Sequence, residues 1–424
     1  MKKYLYIFCA LTGAALMGCT DLDLIPEDTM SPDNYFSSEE ELRLWTNQYY
    51  GMFPGADNLN AICADDVIKN ILSDEILGNR TPGTEKAWDW EDLRTINTYF
   101  QWCKNCDDVN ARNHYDGFSY FMRAYFYFTK VQRYGDVPYY DKVIGSKDEE
   151  LLYKTRDSRK YVMQKVMEDL DQAISMLPEA KTPYEVNKWT ALALKSRAAL
   201  FEGTFRKYHP ELKLNDGDRF LKIAVEACQK IMDTKSYSLS TTKESGLPAY
   251  QSLFCSTDLT QNPEMILVAD YDKALGRLHN AQAQFDYNTG LSRSLMEDYL
   301  VVKDGHTEYF HQVEGYKTKT VLEVFENRDP RLEQTFMKPG VLNVGTTEPH
   351  RTKLNLGGYP QIKFRPLTFD QIDWGKSYTD LPIIRYAEVL LMYAEAKAEL
   401  GILTQDDVNQ TINLIRQRAG MPDA

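Results

Sequence analysis

Between residues 118 and 134 the chain carries apolar side chains on two separate faces of one helix, and this narrows the folds open to it. Phe118, Phe121, Met122, Tyr125, Phe128 and Thr129 form one stripe; Tyr120, Ala124, Tyr127, Val131 and Tyr134 form another. A helix that is apolar on two faces has to be sandwiched between neighbours. Gly135 ends it, with Pro138 just beyond. A partner runs over 158–177 with Val162, Val166, Leu170, Ala173 and Leu177, and stops at Pro178.

The arrangement recurs. Trp189, Leu192, Ala193, Ser196, Ala199 and Leu200 lie on one face of a second such helix, with Leu194, Ala198, Phe201 and Phe205 on another. Its partner, over 219–233, shows Phe220, Ile223, Ala224, Ala227 and Ile231. A third pair closes the chain: Ala387, Leu390, Leu391, Ala394 and Ala398 precede a final helix with Val408, Ile412, Ile415 and Ala419. Small residues at the crossings and bulky ones around them predict a mainly α fold, a tetratricopeptide-like superhelix of helix-turn-helix units. Long inserts break the period. Residues 31–53 read as one helix capped by Ser37 or Ser38, with Leu42, Trp45 and Tyr49 on one face. Residues 54–107 form an early loop, 108–235 and 380–424 the helical scaffold, and 236–379 a loop-rich insert with short helices and small hairpins.

The N-terminus has the form of a leader. Lys2 and Lys3 precede an uncharged run from Tyr4 to Met17, too short to span a membrane permanently. Leu16-Met17-Gly18-Cys19 resembles a bacterial lipobox, so residues 1–18 read as a signal peptide and Cys19 as the lipidated first residue of a 19–424 domain. Two or three acyl chains anchor a protein stably without a transmembrane helix. Cys63, Cys103, Cys106, Cys228 and Cys255 then remain, an odd number that rules out a fully paired disulfide framework. Cys103-Lys104-Asn105-Cys106 is a lone CxxC with only His114 nearby, and buried, inert thiols on a helix are expected rather than a metal or redox centre.

Net charge is -13, and an acidic surface of that size repels phosphate backbones, so nucleic acid is not an expected partner. Enzyme signatures are missing: there is no GxSxG and no HExxH, and Thr346 follows the Gly340–Gly345 spacing where a phosphate-binding loop needs lysine. No catalytic residue, metal or cofactor is assigned.

Four blocks in order look like the SusD/RagB family of outer-membrane nutrient-binding lipoproteins. They are Leu22-Asp23-Leu24-Ile25-Pro26 with Tyr35-Phe36; Arg123-Ala124-Tyr125-Phe126-Tyr127-Phe128 through Tyr134-Gly135-Asp136-Val137-Pro138; Arg328-Asp329-Pro330-Arg331-Leu332; and Leu381 to Ala396 followed by Ile412 to Gly420. The resemblance implies a non-catalytic, surface-exposed lipoprotein of the outer membrane that captures oligosaccharides and passes them to a TonB-dependent, SusC-like transporter. Peptide uptake within the same family is the alternative, and a tetratricopeptide-type protein adaptor is a third reading. Family members continue past the point where this sequence stops at Ala424, so the resemblance implies that a C-terminal region is missing.

Sugar rings stack on Trp or Tyr while Arg, Asn, Asp or Gln take the hydroxyls. Asp74, Asn79, Arg80, Trp88 and Trp90 offer both halves within one stretch, and the two tryptophans, two apart, point the same way in an extended segment. Gln284 and Tyr287, with Phe285, are the second candidate group. Arg385, Glu388 and Glu395 are expected to make ion pairs between helices, and Asp329 and Arg331 to fix a turn. For the anchor, Cys19→Ala is expected to move the protein from the membrane fraction to the soluble one; retention of the variant in membranes without a transporter partner would reject the lipobox.

Overall fold

The computed structural model describes residues 35–61, 65–69, 71–281, 289–350 and 358–424. Helix α1 spans Glu39–Asn47, and Ser38 caps it in a reciprocal box: its hydroxyl accepts the Glu41 N–H while the Glu41 carboxylate accepts the Ser38 N–H at 3.2 Å. The expected helix over 31–53 is therefore shorter. Residues 31–34 lie outside the described residues, and after Asn47 the chain tightens into a 3-10 turn over Gln48–Met52. Gly51 and Pro54 deny it another α turn while Tyr49 enters the core.

Within the expected early loop lies a helix, α2 (Glu91–Trp102), burying Leu93, Ile96, Asn97 and Tyr99. The scaffold follows as α3 (Val109–Tyr134), α4 (Arg159–Met176), α5 (Lys188–Tyr208), α6 (Gly217–Asp233) and α7 (Tyr386–Glu399). Each of these packs on the next, and α1 and α2 lie against α3. Both apolar faces of α3 are buried, Phe121 and Met122 on one and Ala124, Tyr127 and Val131 on the other. Gly135 ends α3 with a φ of 71°, a left-handed value. The closing helix is in two pieces, α8 (Gln405–Gln410) and α9 (Ile412–Arg418). The break falls at Thr411, whose hydroxyl donates to the Asp407 carbonyl at 2.6 Å, a side-chain bond that competes with the helical one.

Buried and part-buried ion pairs tie the layers. Arg123 on α3 grips Asp169 on α4 in two bonds of 2.7 and 2.8 Å. Arg159 on α4 meets Glu202 on α5 at 2.7 Å, and Arg197 on α5 meets Glu388 on α7 at 2.6 Å. Glu388 thus bridges helices as the sequence suggests, whereas Arg385 stands at the strand end before α7 and pairs with Glu264, and Glu395 makes no ion pair among the described residues. Arg331 folds back on Asp329 at 2.6 Å, fixing the turn around Pro330.

Among the described residues the strands are short and paired in twos: β1 (Val67–Lys69), β2 (Met265–Ala269), β3 (Thr289–Leu291), β4 (Val301–Lys303), β5 (His306–Glu308) and β6 (Leu381–Arg385). All three pairs are antiparallel: β1 with β3, β2 with β6, and β4 with β5. The β4–β5 hairpin turns on Asp304 and Gly305, both with positive φ, as a two-residue turn of matching twist requires. Cys103, Cys106, Cys228 and Cys255 are buried and unpaired. Cys103 opens a 3-10 turn after α2 rather than lying in an α-helix, and burial pushes its thiol up to about 12. No helix among the described residues is long and apolar enough to cross a membrane.

Glycine sets the closest crossings. A Cβ on Gly203 of α5 would lie 2.8 Å from the Leu221 side chain on α6, and one on Gly117 of α3 would lie 2.9 Å from Met176 Cβ on α4. Gly203→Ala gains about 1 kcal/mol of helix propensity. Overpacking costs about 1–3 kcal/mol, so urea unfolding is expected to show net destabilisation. Gly51→Ala, with nothing within 4 Å, is the matched control and is expected to lose no stability.

Candidate functional site

Trp88, Asp89 and Trp90 lead into α2, whose N-terminus is held by the Asp89 carboxylate accepting the Glu91 N–H at 3.0 Å. The floor is the C-terminal half of α3. Trp90 packs against Phe126 (5.6 Å between centroids) and Tyr140 (5.8 Å), and Trp88 meets Trp90 at 5.2 Å and Tyr134 at 4.8 Å, all edge to face. Lys130 on α3 donates to the Ala87 carbonyl and fixes the approach to Trp88.

The facing wall is the chain after Gly135. The fully buried Tyr127 hydroxyl accepts the Tyr140 N–H at 2.6 Å and donates to the Tyr140 carbonyl at 3.0 Å. Asn97, buried on α2, donates through Nδ2 to the carbonyls of Tyr140 and Lys142, both at 3.2 Å, and Arg94 donates to that of Ile144 at 2.8 Å. A second segment, over 152–156, closes the side, tied in where Asp157 accepts the Tyr139 N–H at 2.7 Å. Between these elements is a cavity of about 790 Å³, lined by Trp88, Trp90, Tyr140, Leu152 and Ile144 together with Arg94, Asn97, Lys142, Lys154 and Arg156. It has the two halves a sugar needs, ring faces or edges and polar groups.

The two tryptophans foreseen from sequence are brought together here. Trp88 is 37% exposed, whereas Trp90 is half-buried among four rings. Asp74 and Arg80 line a neighbouring cleft of about 370 Å³ with Glu75, Glu85 and Arg133. There Arg80 pairs with Glu85 at 2.5 Å, and Arg133 pairs with Glu75 at 2.6 Å and Glu85 at 3.1 Å. Burial opposes ionisation of Glu85, but the bonds from Arg133, the Ala87 N–H and Arg80 prevail and hold its carboxyl at about 2. Arg80 also lies 5.4 Å over the Tyr134 ring, so Tyr134 separates it from Trp88. Asn79 lines neither space; its N–H closes the turn onto the Asp74 carbonyl at 2.9 Å. Gln284 and Tyr287, with Phe285, lie outside the described residues.

Sequence reasoning missed Arg94, Asn97, Tyr140, Lys142, Lys154 and Arg156. The signal that reaches them is the Tyr134–Pro138 block, which turns the chain back over α2.

Residues 263–424 match the SusD family, and residues 23–200 match a family described as starch-binding and associating with outer membrane. A SusD-like protein of Formosa agariphila is 24% identical over 99% of this chain and 82% of its own. The solved structure of a SusD-like carbohydrate binding protein from Bacteroides fragilis superposes with a TM-score of 0.72 at 19% identity, covering 92% of this chain and 80% of that one. Another, determined with a xylogluco-oligosaccharide, gives 0.61 at 15% identity, covering 90% and 76%.

The packing separates the roles of the two rings. Trp90→Ala is expected to lower unfolding free energy by about 2–4 kcal/mol, as removal of a packed aromatic does. Trp88→Ala, at a ring more than a third open to solvent, is expected to cost about 1 kcal/mol or less in the same denaturation measurement.

Proposed function

Because the chain belongs to the SusD family, we propose that it is a binding lipoprotein that captures oligosaccharides at the outer membrane and hands them to a TonB-dependent transporter without cleaving them. The observation that carries this reading is the Trp88–Trp90 cavity, where aromatic surface and hydrogen-bonding side chains share one space of oligosaccharide size. Relatives with the same fold support it: one is described as a carbohydrate binding protein, and another was solved with a xylogluco-oligosaccharide. The match to a family associating with outer membrane supports the location. In this reading residues 1–18 are removed, Cys19 carries the lipid, and 19–53 tether and start the domain. Trp88 is the exposed platform, and Asp74 and Arg80 extend the binding surface beyond Tyr134.

Native gels containing polysaccharides, run beside a reducing-end assay, test both halves of the proposal. Retardation without release of reducing ends is the expected result. Trp88→Ala is expected to weaken binding by about 1–3 kcal/mol, a loss of roughly 5- to 150-fold. A folded Trp88→Ala variant with unchanged affinity would remove this cavity from the site, and cleavage would replace binding with hydrolysis as the function.

A further inference from the structure

The cavity is richer in cations than its setting predicts. In a chain of net charge -13, its lining carries Arg94, Lys142, Lys154 and Arg156 against Asp89 and Glu91. Lys154 is matched by Asp157 at 2.6 Å. The other three meet no carboxylate among the described residues: Arg94 is bonded to the Ile144 carbonyl, Arg156 makes one long bond of 3.4 Å to that of Asp136, and Lys142 has no hydrogen-bond partner for its ammonium. Elsewhere arginines such as Arg123, Arg206 and Arg385 are matched to carboxylates.

Placement adds to the count. The Arg156 guanidinium lies over the Trp88 ring, 4.8 Å from its centroid. A neutral sugar stacking on that face has to displace a cation, whereas a sugar bearing an oxyanion is received by it, in the paired geometry that guanidinium offers carboxylate or sulfate. Asn97, also in the lining, is committed to the wall: its Nδ2 donates to two carbonyls and the residue is 2% exposed.

We propose that this cavity takes an acidic glycan, one whose sugars carry carboxylate or sulfate groups. Arg156, Arg94 and Lys142 receive the oxyanion, and Trp88 and Tyr140 take the apolar surface of the ring. The inference rests on the reading of the chain as a glycan binder.

The test is an array of neutral, uronic-acid-bearing and sulfated glycans, followed by titration of the strongest binder against its carboxyl-reduced or desulfated counterpart. The expected result is binding among acidic members, with about a ten-fold or greater loss when the charge is removed. Lys142→Gln and Arg156→Gln are each expected to weaken the acidic glycan about 3- to 10-fold, and added salt to weaken it further. Lys142 is exposed and has no partner for its ammonium among the described residues, so its variant reports on charge with the fold intact. Which members bind separates uronate from sulfate as the source of the oxyanion. Binding confined to neutral glycans, or equal affinity for the neutralised counterpart, overturns the acidic preference and leaves glycan binding standing. An array with no binder among any class overturns both.

Discussion

A buried carboxylate, that of Glu264, holds the insert to the scaffold at its centre. It is fully buried beside β2, 2.9 Å from Arg385 at the end of β6 and 2.6 Å from Arg418 on α9, and it accepts the Ser240 N–H at 2.8 Å. Its own carbonyl accepts the N–H of Tyr386, the first residue of α7. Burying a carboxylate is costly, and the cost is met only when both oxygens are engaged. The β2–β6 register, the start of α7 and the seat of α9 therefore have to be correct together, because displacing any one leaves a buried charge unmatched. Residues more than 100 apart in sequence are fixed in one place by this requirement, and the long excursion between β2 and β6 returns to the point where it began.

The same logic reaches the cavity through α3. Arg123 points from that helix to Asp169 and fixes α4, while Tyr127, one turn later, holds both backbone groups of Tyr140 with its hydroxyl. The wall opposite the tryptophans thus hangs from the core, and Asn97 and Arg94 brace it from α2. A site whose walls are fixed before the ligand arrives loses less freedom on binding than one built from loose loops. Trp90 and Trp88 divide the work: one is a wedge that keeps the α2 entry on α3, the other an outward face.

The scaffold was legible in the sequence because its signals are local. Two-faced periodicity, the stop at Gly135 and the cap at Ser38 each lie within a turn or two of what they determine. Helix α2 was not legible, since Asn97 occupies its buried face, its N-cap position is Trp90, which offers no side-chain acceptor, and Trp88 and Trp90 just before it suggested an extended loop. Thr411 likewise splits the last helix by a side-chain bond that periodicity does not register. At the candidate site, the tryptophan pair was visible, and the second wall was not. Tyr140, Lys142 and Arg156 stand 52 to 68 residues from Trp88 and reach it only because the chain reverses after α3. Arg80 illustrates the converse: it is close to Trp88 in sequence, yet Glu85 claims it and Tyr134 stands between.

An acidic chain and a cationic cavity are compatible because charge acts over short distances in salt. At physiological ionic strength the screening length is about 8 Å, so carboxylates elsewhere on the surface scarcely reach a group held inside the cavity. The net charge of -13 governs approach, slowing anionic polymers at low salt and discouraging nucleic acid. What is felt after entry is the set within reach, chiefly Arg94, Lys142 and Arg156 against Asp89 and Glu91. Both acids stand at the start of α2, where the positive end of the helix offsets part of their charge. Repulsion at long range and attraction at contact together favour a ligand that fits the cavity over one that merely carries charge.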